Sequence, residues 1–220
     1  MTEKIIEYIK KNRVSTTEIA DCLGKSGAIE KVMPVNRGHF KVGKVRYTYA
    51  IEESNWTIHE QVIDTAENDI VFIDTIDCKG RAVIGELVSK YLLLYRQAAA
   101  IVTNAPMRDA GALIRENYSI WCDGFNPVGC FNVKPVKDLP HQLIDEHYNY
   151  YNGSIAVCDD CGVVIIPKEY HTESFYKKLE NIENQEDIWF DRLDHYKENT
   201  FEIVCQKNYL KDSNYMKDRG

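Results

Sequence analysis

At 220 residues and 44% hydrophobic content, the chain can bury one sizeable core, and its length fits a single domain. A formal charge of -7 and a pI near 5.4, with paired lysines only at Lys10-Lys11 and Lys177-Lys178, exclude the basic stripe of a nucleic-acid-binding surface. No apolar run approaches a membrane span and Met1-Thr2-Glu3-Lys4 lacks a secretory profile, so the expectation is a cytoplasmic protein with neither nucleic-acid nor membrane partners.

In chain order, residues 3–12 predict an amphipathic helix with Ile5, Ile6, Tyr8 and Ile9 on its apolar face. Ser15-Thr16-Thr17-Glu18 reads as a capping box opening a second helix, the pair of helices spanning about 3–24. A core of about 30–170 follows. It opens with strands over 45–51 and 70–74, separated by a helix over 57–66. Asn55 and His59, four residues apart, share one face of that helix if it extends back so far, and His59 is read as packed or hydrogen-bonded. The other histidines, His39, His141, His147, His171 and His195, have no metal-ligand spacing.

Residues 86–94 lack Gly and Pro, are rich in Leu, and predict a helix starting beside Gly85. An apolar run over 98–103 reads as a buried strand ending at Asn104-Ala105-Pro106, and 109–117 as a further helix with Asp109 acidic in its first turn. Beyond Trp121, 128–133 reads as strand-like, and 155–157 with 163–166 as a hairpin. The extension over about 170–220 is polar and aromatic; its acids over 180–187 read as a solvated face, and Trp189, Phe190 and Leu193 as apolar groups that pack on a neighbour. Interleaved strands and helices indicate an α/β domain.

Seven cysteines in apolar or strand-like contexts do not form a disulfide framework. Cys158-Asp159-Asp160-Cys161 has the spacing of a redox or zinc pair. It lies between two apolar runs with Gly162 supplying backbone freedom, so it reads as a hairpin turn.

The candidate chemistry lies at Arg108-Asp109. Arg offers a rigid two-pronged donor that fits a carboxylate, and Asp offers hard oxygens for a divalent cation, so adjacent positions can serve one small anion. Helix starts and loops gather where strands finish, which places Arg108 opposite the helix start at Glu86. An Arg-Asp dipeptide on a surface loop is otherwise a solvated ion pair.

Gly85-Glu86-Leu87-Val88 followed by Ala100-Ile101-Val102-Thr103-Asn104-Ala105-Pro106-Met107-Arg108-Asp109 resembles the signature of the RraA-like family, which holds the 4-hydroxy-4-methyl-2-oxoglutarate aldolases and the regulator of ribonuclease E activity. Ser15 to Gly24, Val42-Gly43-Lys44-Val45, Asn55 with His59, and the Gly153 to Pro167 segment resemble further family segments in the expected order. The resemblance implies a swivelling β/β/α sandwich, a homotrimer or homohexamer with pockets between subunits, and Mg2+ or Mn2+ as cofactor. By resemblance, Asp109 holds the metal, Arg108 clamps the carboxylate of a small 2-oxo acid, and Glu86 orients a proton-carrying water. Gly85 and the amides of Leu87 and Val88 complete the anion site, with Asn104 beside the substrate. Three departures stand out, one of them Cys161, where relatives commonly carry an acid. The spacer from Leu87 to Met107 is one residue longer than the family pattern, and Asn104-Ala105 stands where many relatives have Asp-Gly. The implied activity is a metal-dependent lyase, by retro-aldol cleavage or decarboxylation, releasing pyruvate or a similar product. The alternative on the same scaffold is a noncatalytic protein-binding regulator like that of ribonuclease E. Family aldolases draw an acid from a neighbouring subunit's C-terminal region, and no position here is assigned to it.

Overall fold

The structure, a computed structural model, describes residues 1–135 and 140–211. The chain divides into two compact units, Met1–Tyr176 and Lys177–Gly220. Among the described residues no helix is long and apolar enough to cross a membrane.

The first unit is a mixed α/β domain built on one sheet. Its strands are β1 (Met33–Pro34), β2 (Lys41–Ile51), β3 (Ile70–Ile76), β4 (Ala100–Thr103), β5 (Ile120–Cys122), β6 (Ile155–Asp159) and β7 (Gly162–Ile166). They lie in the order β1-β5-β4-β3-β2-β6-β7. The central run β2-β3-β4-β5 is parallel, and β1, β6 and β7 pair antiparallel with their neighbours. The segment entering β1 returns to the opposite edge: Ile29 N–H donates to Val163 O at 3.0 Å and Ile165 N–H to Gly27 O at 2.8 Å. The sheet thereby curls into a nearly closed barrel, which leaves little unpaired edge.

Period-two alternation sorts the side chains between the two faces. Ile70, Phe72, Ala100, Val102 and Trp121 fill one buried cluster with Ala156, Cys158 and Ile165. Val71, Ile73 and Ile101 point the other way, into a cluster with Ile58, Val88, Leu92 and Leu113 from the helices. Trp121 is fully buried and its indole N–H donates to Asp159 O at 2.7 Å, tying β5 to the end of β6.

The helices form largely where local sequence favours them. In α1 (Thr2–Asn12), Ile5, Ile6 and Ile9 are buried. α2 (Thr16–Cys22) opens with the expected capping box: Ser15 Oγ accepts from Glu18 N–H at 3.2 Å, and Ser15 N–H donates to the Glu18 carboxylate at 2.7 Å. α3 (Trp56–Gln61) is shorter than the apolar pattern predicts; a 3-10 turn, Val62–Asp64, and extended Thr65 end it. α4 (Glu86–Lys90) runs on into a π-helical turn, Tyr91–Tyr95, and α5 covers Ala110–Arg115.

Three elements differ from expectation. Residues 128–133 are not a strand: Gly129 bridges Ala82 and Phe131 bridges Ser54, single contacts to two different loops, with Val128, Phe131 and Val133 exposed. The parallel neighbour of β4 is instead the short β5, whose alternation is too brief to read. Helix α6 (His141–Tyr151) was not predicted, because only Ile144 of its aliphatic residues is buried and its packing is aromatic. Tyr151 stacks on Tyr47 at 5.9 Å and meets Phe72 edge-on at 4.7 Å. The Cys158–Cys161 spacing falls in the β6–β7 hairpin as expected, with Cys158 buried and Cys161 exposed.

The second unit contains most of α7 (Glu173–Asp194), a π turn, Phe201–Cys205, and a 3-10 turn, Asn208–Lys211. Within it the Tyr209 hydroxyl accepts from Gln185 at 3.1 Å and Trp189 at 3.3 Å, and buried Arg192 pairs with Glu198 at 3.1 Å. Phe190 and Leu193 are exposed.

His171 closes the first unit's N-terminal helix onto β7. Its Nε2 faces Ile166 O at 3.2 Å, which fixes the proton there, so Nδ1 accepts from the Thr2 hydroxyl at 3.0 Å. Burial lowers its pKa below the ordinary value of 6.5. The unfolded chain therefore takes up the proton more readily. The stability this group contributes is complete above the ordinary imidazole range and is lost as pH falls through the lowered value. Melting temperatures at pH 7.5 and 5.5 check this: wild type should lose more on acidification than His171→Gln, and equal losses would contradict it.

Candidate functional site

The site is built where the loops after β3 and β4 cross. Val83 N–H donates to Pro106 O at 3.0 Å and Arg108 N–H to Ile84 O at 3.1 Å, so 83–85 lies alongside 106–108. On the other side Met107, fully buried, exchanges backbone hydrogen bonds with Gly124 at 3.0 Å and Asn126 at 2.9 Å. The dipeptide is thus clamped from both flanks before it projects.

Gly85 caps α4 in extended conformation, and a Cβ there would lie 2.2 Å from Asp109 Oδ2 and 2.7 Å from Arg108 Cγ. Only glycine leaves room for the carboxylate. Asp109 itself adopts a left-handed conformation, φ 62°, and does not cap α5 with its side chain. Its Oδ2 turns instead to Glu86 N–H at 3.0 Å and lies 3.7 Å from Arg108 Nε. An Asp tolerates this backbone region better than most residues, but at a local cost. The two side chains remain 52% and 44% exposed, so their mutual attraction is a modest, solvent-screened one.

Beside them is a cavity of about 60 Å³. Gly85, Leu87 and Val88 supply one wall, Arg108 and Asp109 another, and Asn55, His59, Cys130 and Asn132 close it. Asn55 is buried and its amide donates to Val83 O at 3.0 Å, while its Oδ1, also buried, has no hydrogen-bond partner. Gly129 packs on the Arg108 guanidinium, where a Cβ would lie 2.7 Å from Nη1.

Five of the sequence-derived residues therefore share one cavity: Gly85, Leu87, Val88, Arg108 and Asp109. Glu86 contributes its backbone N–H to Asp109, and its carboxylate is not part of the lining. Asn104 is turned away. Its Oδ1 accepts from Thr75 N–H and Oγ, both at 2.9 Å, and its amide donates to Asp74 Oδ1 at 2.7 Å. Buried Asp74 also takes the Tyr47 hydroxyl at 2.9 Å and His147 at 2.6 Å, so Asn104 belongs to a network knitting β2, β3, β4 and α6. Burial and the Asp74 charge hold the Tyr47 phenol far above its ordinary pKa, which keeps it a donor. His59, read as packed, is exposed at the cavity because α3 turns that face outward. The Asn55–His59 spacing was a signal for this wall, whereas nothing in the sequence marked Cys130 or Gly129.

The donor set bears on a metal. Among the described residues no group of three or more His, Cys, Asp or Glu converges. Asp109 and the unpaired Asn55 Oδ1 are, however, hard oxygen donors at one cavity, a set that fits a cation which keeps most of its waters.

The fold and site together define a small α/β domain that presents an Arg-Asp pair at a helix start beside a glycine. The sequence profile of the RraA-like family (Aldolase/RraA) matches residues 16–165, and the chain belongs to that family. No curated protein matches it. Among solved structures, an uncharacterized protein from Pseudomonas syringae pv. tomato str. DC3000 is similar at 16% identity and TM-score 0.67, covering 91% of this chain and 96% of that one. Streptomyces coelicolor RraAS2, described as an unusual member of the RNase ES inhibitor RraA protein family, is 19% identical with TM-score 0.66, over 86% and 98% of the two chains. The RNA-processing inhibitor RraA from Thermus thermophilis is 17% identical with TM-score 0.54, over 69% and 92%. At these identities the likeness is one of fold.

The glycine geometry predicts unequal costs. Gly85→Ala sets a methyl against the Asp109 carboxylate and the root of Arg108, and should cost about 1–3 kcal/mol in thermal or denaturant unfolding. Gly129→Ala meets only the mobile end of Arg108 and should cost under about 1 kcal/mol. Equal costs would contradict the packing described.

Proposed function

We propose that this chain is a divalent-metal-dependent lyase that cleaves or decarboxylates a small 2-oxo acid, releasing pyruvate or a similar product. The observation that carries the reading is the joint presence of Arg108, Asp109 and the unpartnered Asn55 Oδ1 around one cavity. Breaking a carbon–carbon bond beside a 2-oxo group leaves enolate charge that the site must stabilise as it develops. Arg108 clamps the substrate carboxylate with its planar fork, and the first-turn amides of Leu87 and Val88, which have no intrahelical acceptor, add donors to the same anion. Mg2+ or Mn2+ held by Asp109, with water completing its shell, supplies Lewis acidity when bound. Glu86, outside the lining, takes the hydroxyl proton through a water in the retro-aldol direction. The protein acts in the cytoplasm as a homotrimer or homohexamer. Leu87, 80% exposed at the cavity, is the first apolar group such an assembly would cover.

One observation favours a second reading, a noncatalytic binding protein like the RNase inhibitors of the same fold: the Glu86 carboxylate does not line the cavity. A coupled pyruvate assay separates the two. With 4-hydroxy-4-methyl-2-oxoglutarate or oxaloacetate, turnover should require Mg2+ or Mn2+ and stop on chelation. Asp109→Ala and Arg108→Ala should each lose about a hundredfold or more, and Arg108→Lys should not restore the fork. Glu86→Gln should lower kcat by about a hundredfold with little change in KM. Absence of metal-dependent pyruvate from both substrates would overturn the lyase reading.

A further inference from the structure

We propose that a second cavity, lined by the α1–α2 junction, the segment before β2 and the β6–β7 turn, binds a free amino acid with an apolar side chain. This cavity holds about 280 Å³ and shares no lining residue with the one beside Arg108 and Asp109. Its volume sits at the small end of ligand pockets, which suits a small metabolite.

Arg13 supplies the positive group. It follows α1 in a left-handed conformation, φ 56°, and its guanidinium lies over the Phe40 ring with Cζ 4.8 Å from the centroid. Stacking covers a face of the guanidinium and leaves its in-plane N–H edge free. Among the described residues that edge has neither a hydrogen-bond acceptor nor a carboxylate partner, so its planar fork is oriented and uncommitted. Asp160 supplies the negative group. Gly38 N–H donates to its Oδ1 at 2.8 Å and holds the segment before β2 against the turn, while its other oxygen accepts no hydrogen bond among the described residues. The neighbouring carboxylate differs, because Asp159 is filled by Thr16 N–H at 2.8 Å, the Thr16 hydroxyl at 2.7 Å and Cys161 N–H at 2.8 Å. His39 adds a further acceptor: its Nε2 faces Asn117 Oδ1 at 3.1 Å, which puts the proton of the neutral ring there and leaves Nδ1 bare.

The two uncommitted charges select the ligand class. Arg13 and Asp160 line one cavity without pairing to each other, so the space between them suits a molecule that bridges both. A simple anion drawn to Arg13 would meet the Asp160 carboxylate, and a simple amine drawn to Asp160 would meet the guanidinium. A zwitterion satisfies both, its carboxylate on the Arg13 fork and its ammonium on Asp160 Oδ2 and His39 Nδ1. Half-buried Phe40 gives the ligand side chain an apolar contact, which an aromatic side chain exploits best. Binding here is noncovalent and does not depend on the lyase reading.

Calorimetry and saturation-transfer NMR on the whole protein, with L-phenylalanine as the probe, test the site; a Kd on the order of 1 mM is expected. Phenylpropionate lacks the ammonium, phenethylamine the carboxylate and glycine the apolar side chain, so each should bind more weakly by about tenfold or more. Arg13→Gln and Asp160→Asn should each weaken L-phenylalanine by a similar factor, about tenfold or more. Both positions are exposed, and the Asp160 change keeps an oxygen for Gly38 N–H, so melting temperatures should stay at the wild-type value. Arg108→Ala should bind L-phenylalanine as wild type does, which separates failure here from failure of the lyase reading. The proposal is overturned if wild type does not bind L-phenylalanine, or if either fragment lacking one charge binds as tightly. It is equally overturned if the changes at Arg13 and Asp160 leave the affinity unaltered, or if Arg108→Ala abolishes binding.

Discussion

The site rests on two backbone hydrogen bonds, from Val83 N–H to Pro106 O and from Arg108 N–H to Ile84 O, which bind the loop after β3 to the loop after β4. Both loops also hold the 124–130 segment, through Met107 and Ala82, and residues far apart in the chain meet because the parallel strands feeding them end side by side. Once the crossing is made, Gly85 lies under the Asp109 carboxylate and the first amide of α4 has an acceptor. Helix start, glycine and acid are therefore one unit. Moving any of them forces the others to move.

Much of this was legible locally. The strand over β2, the continuous apolar runs of β3 and the β6–β7 hairpin, the capping box at Ser15, and the apolar face of α1 are each written in short windows, and the structure contains all of them. Gly85 before a Leu-rich helix and Arg108-Asp109 after a buried strand were likewise readable, and they meet at one cavity. What stayed hidden depends on the tertiary fold. β5 is too short for its alternation to register, and residues 128–133 have strand composition but pair one residue at a time with two loops. The aromatic packing of α6 has no aliphatic stripe to announce it. No spacing rule could bring Cys130 to the cavity or place Gly129 on a guanidinium.

Asn104 shows how one substitution redistributes charge. Where the family resemblance implies an acid, this chain has an amide that donates to Asp74 and accepts from Thr75. An aspartate would set a second carboxylate against buried Asp74, which already gathers donors from Tyr47 and His147. In a low-dielectric interior two such acids cannot both ionise cheaply. The amide resolves that conflict, its nitrogen donating to Asp74 and its oxygen accepting from Thr75.

Two locally unfavourable features meet at this cavity. Asp109 holds a left-handed backbone without capping its helix, and the Asn55 carbonyl oxygen is buried without a donor. A buried acceptor left unsatisfied costs about 1–3 kcal/mol, and a strained backbone adds a similar amount. Neither is needed to close the sheet, whose core clusters are filled by well-packed apolar side chains elsewhere. A residue other than Asn at one position, and glycine at the other, would relieve them. At this one small space, with a guanidinium at its rim, a bound cation or a water would give the Asn55 oxygen the partner it lacks, and the Asp109 carboxylate, turned toward the same space by its left-handed backbone, would share it.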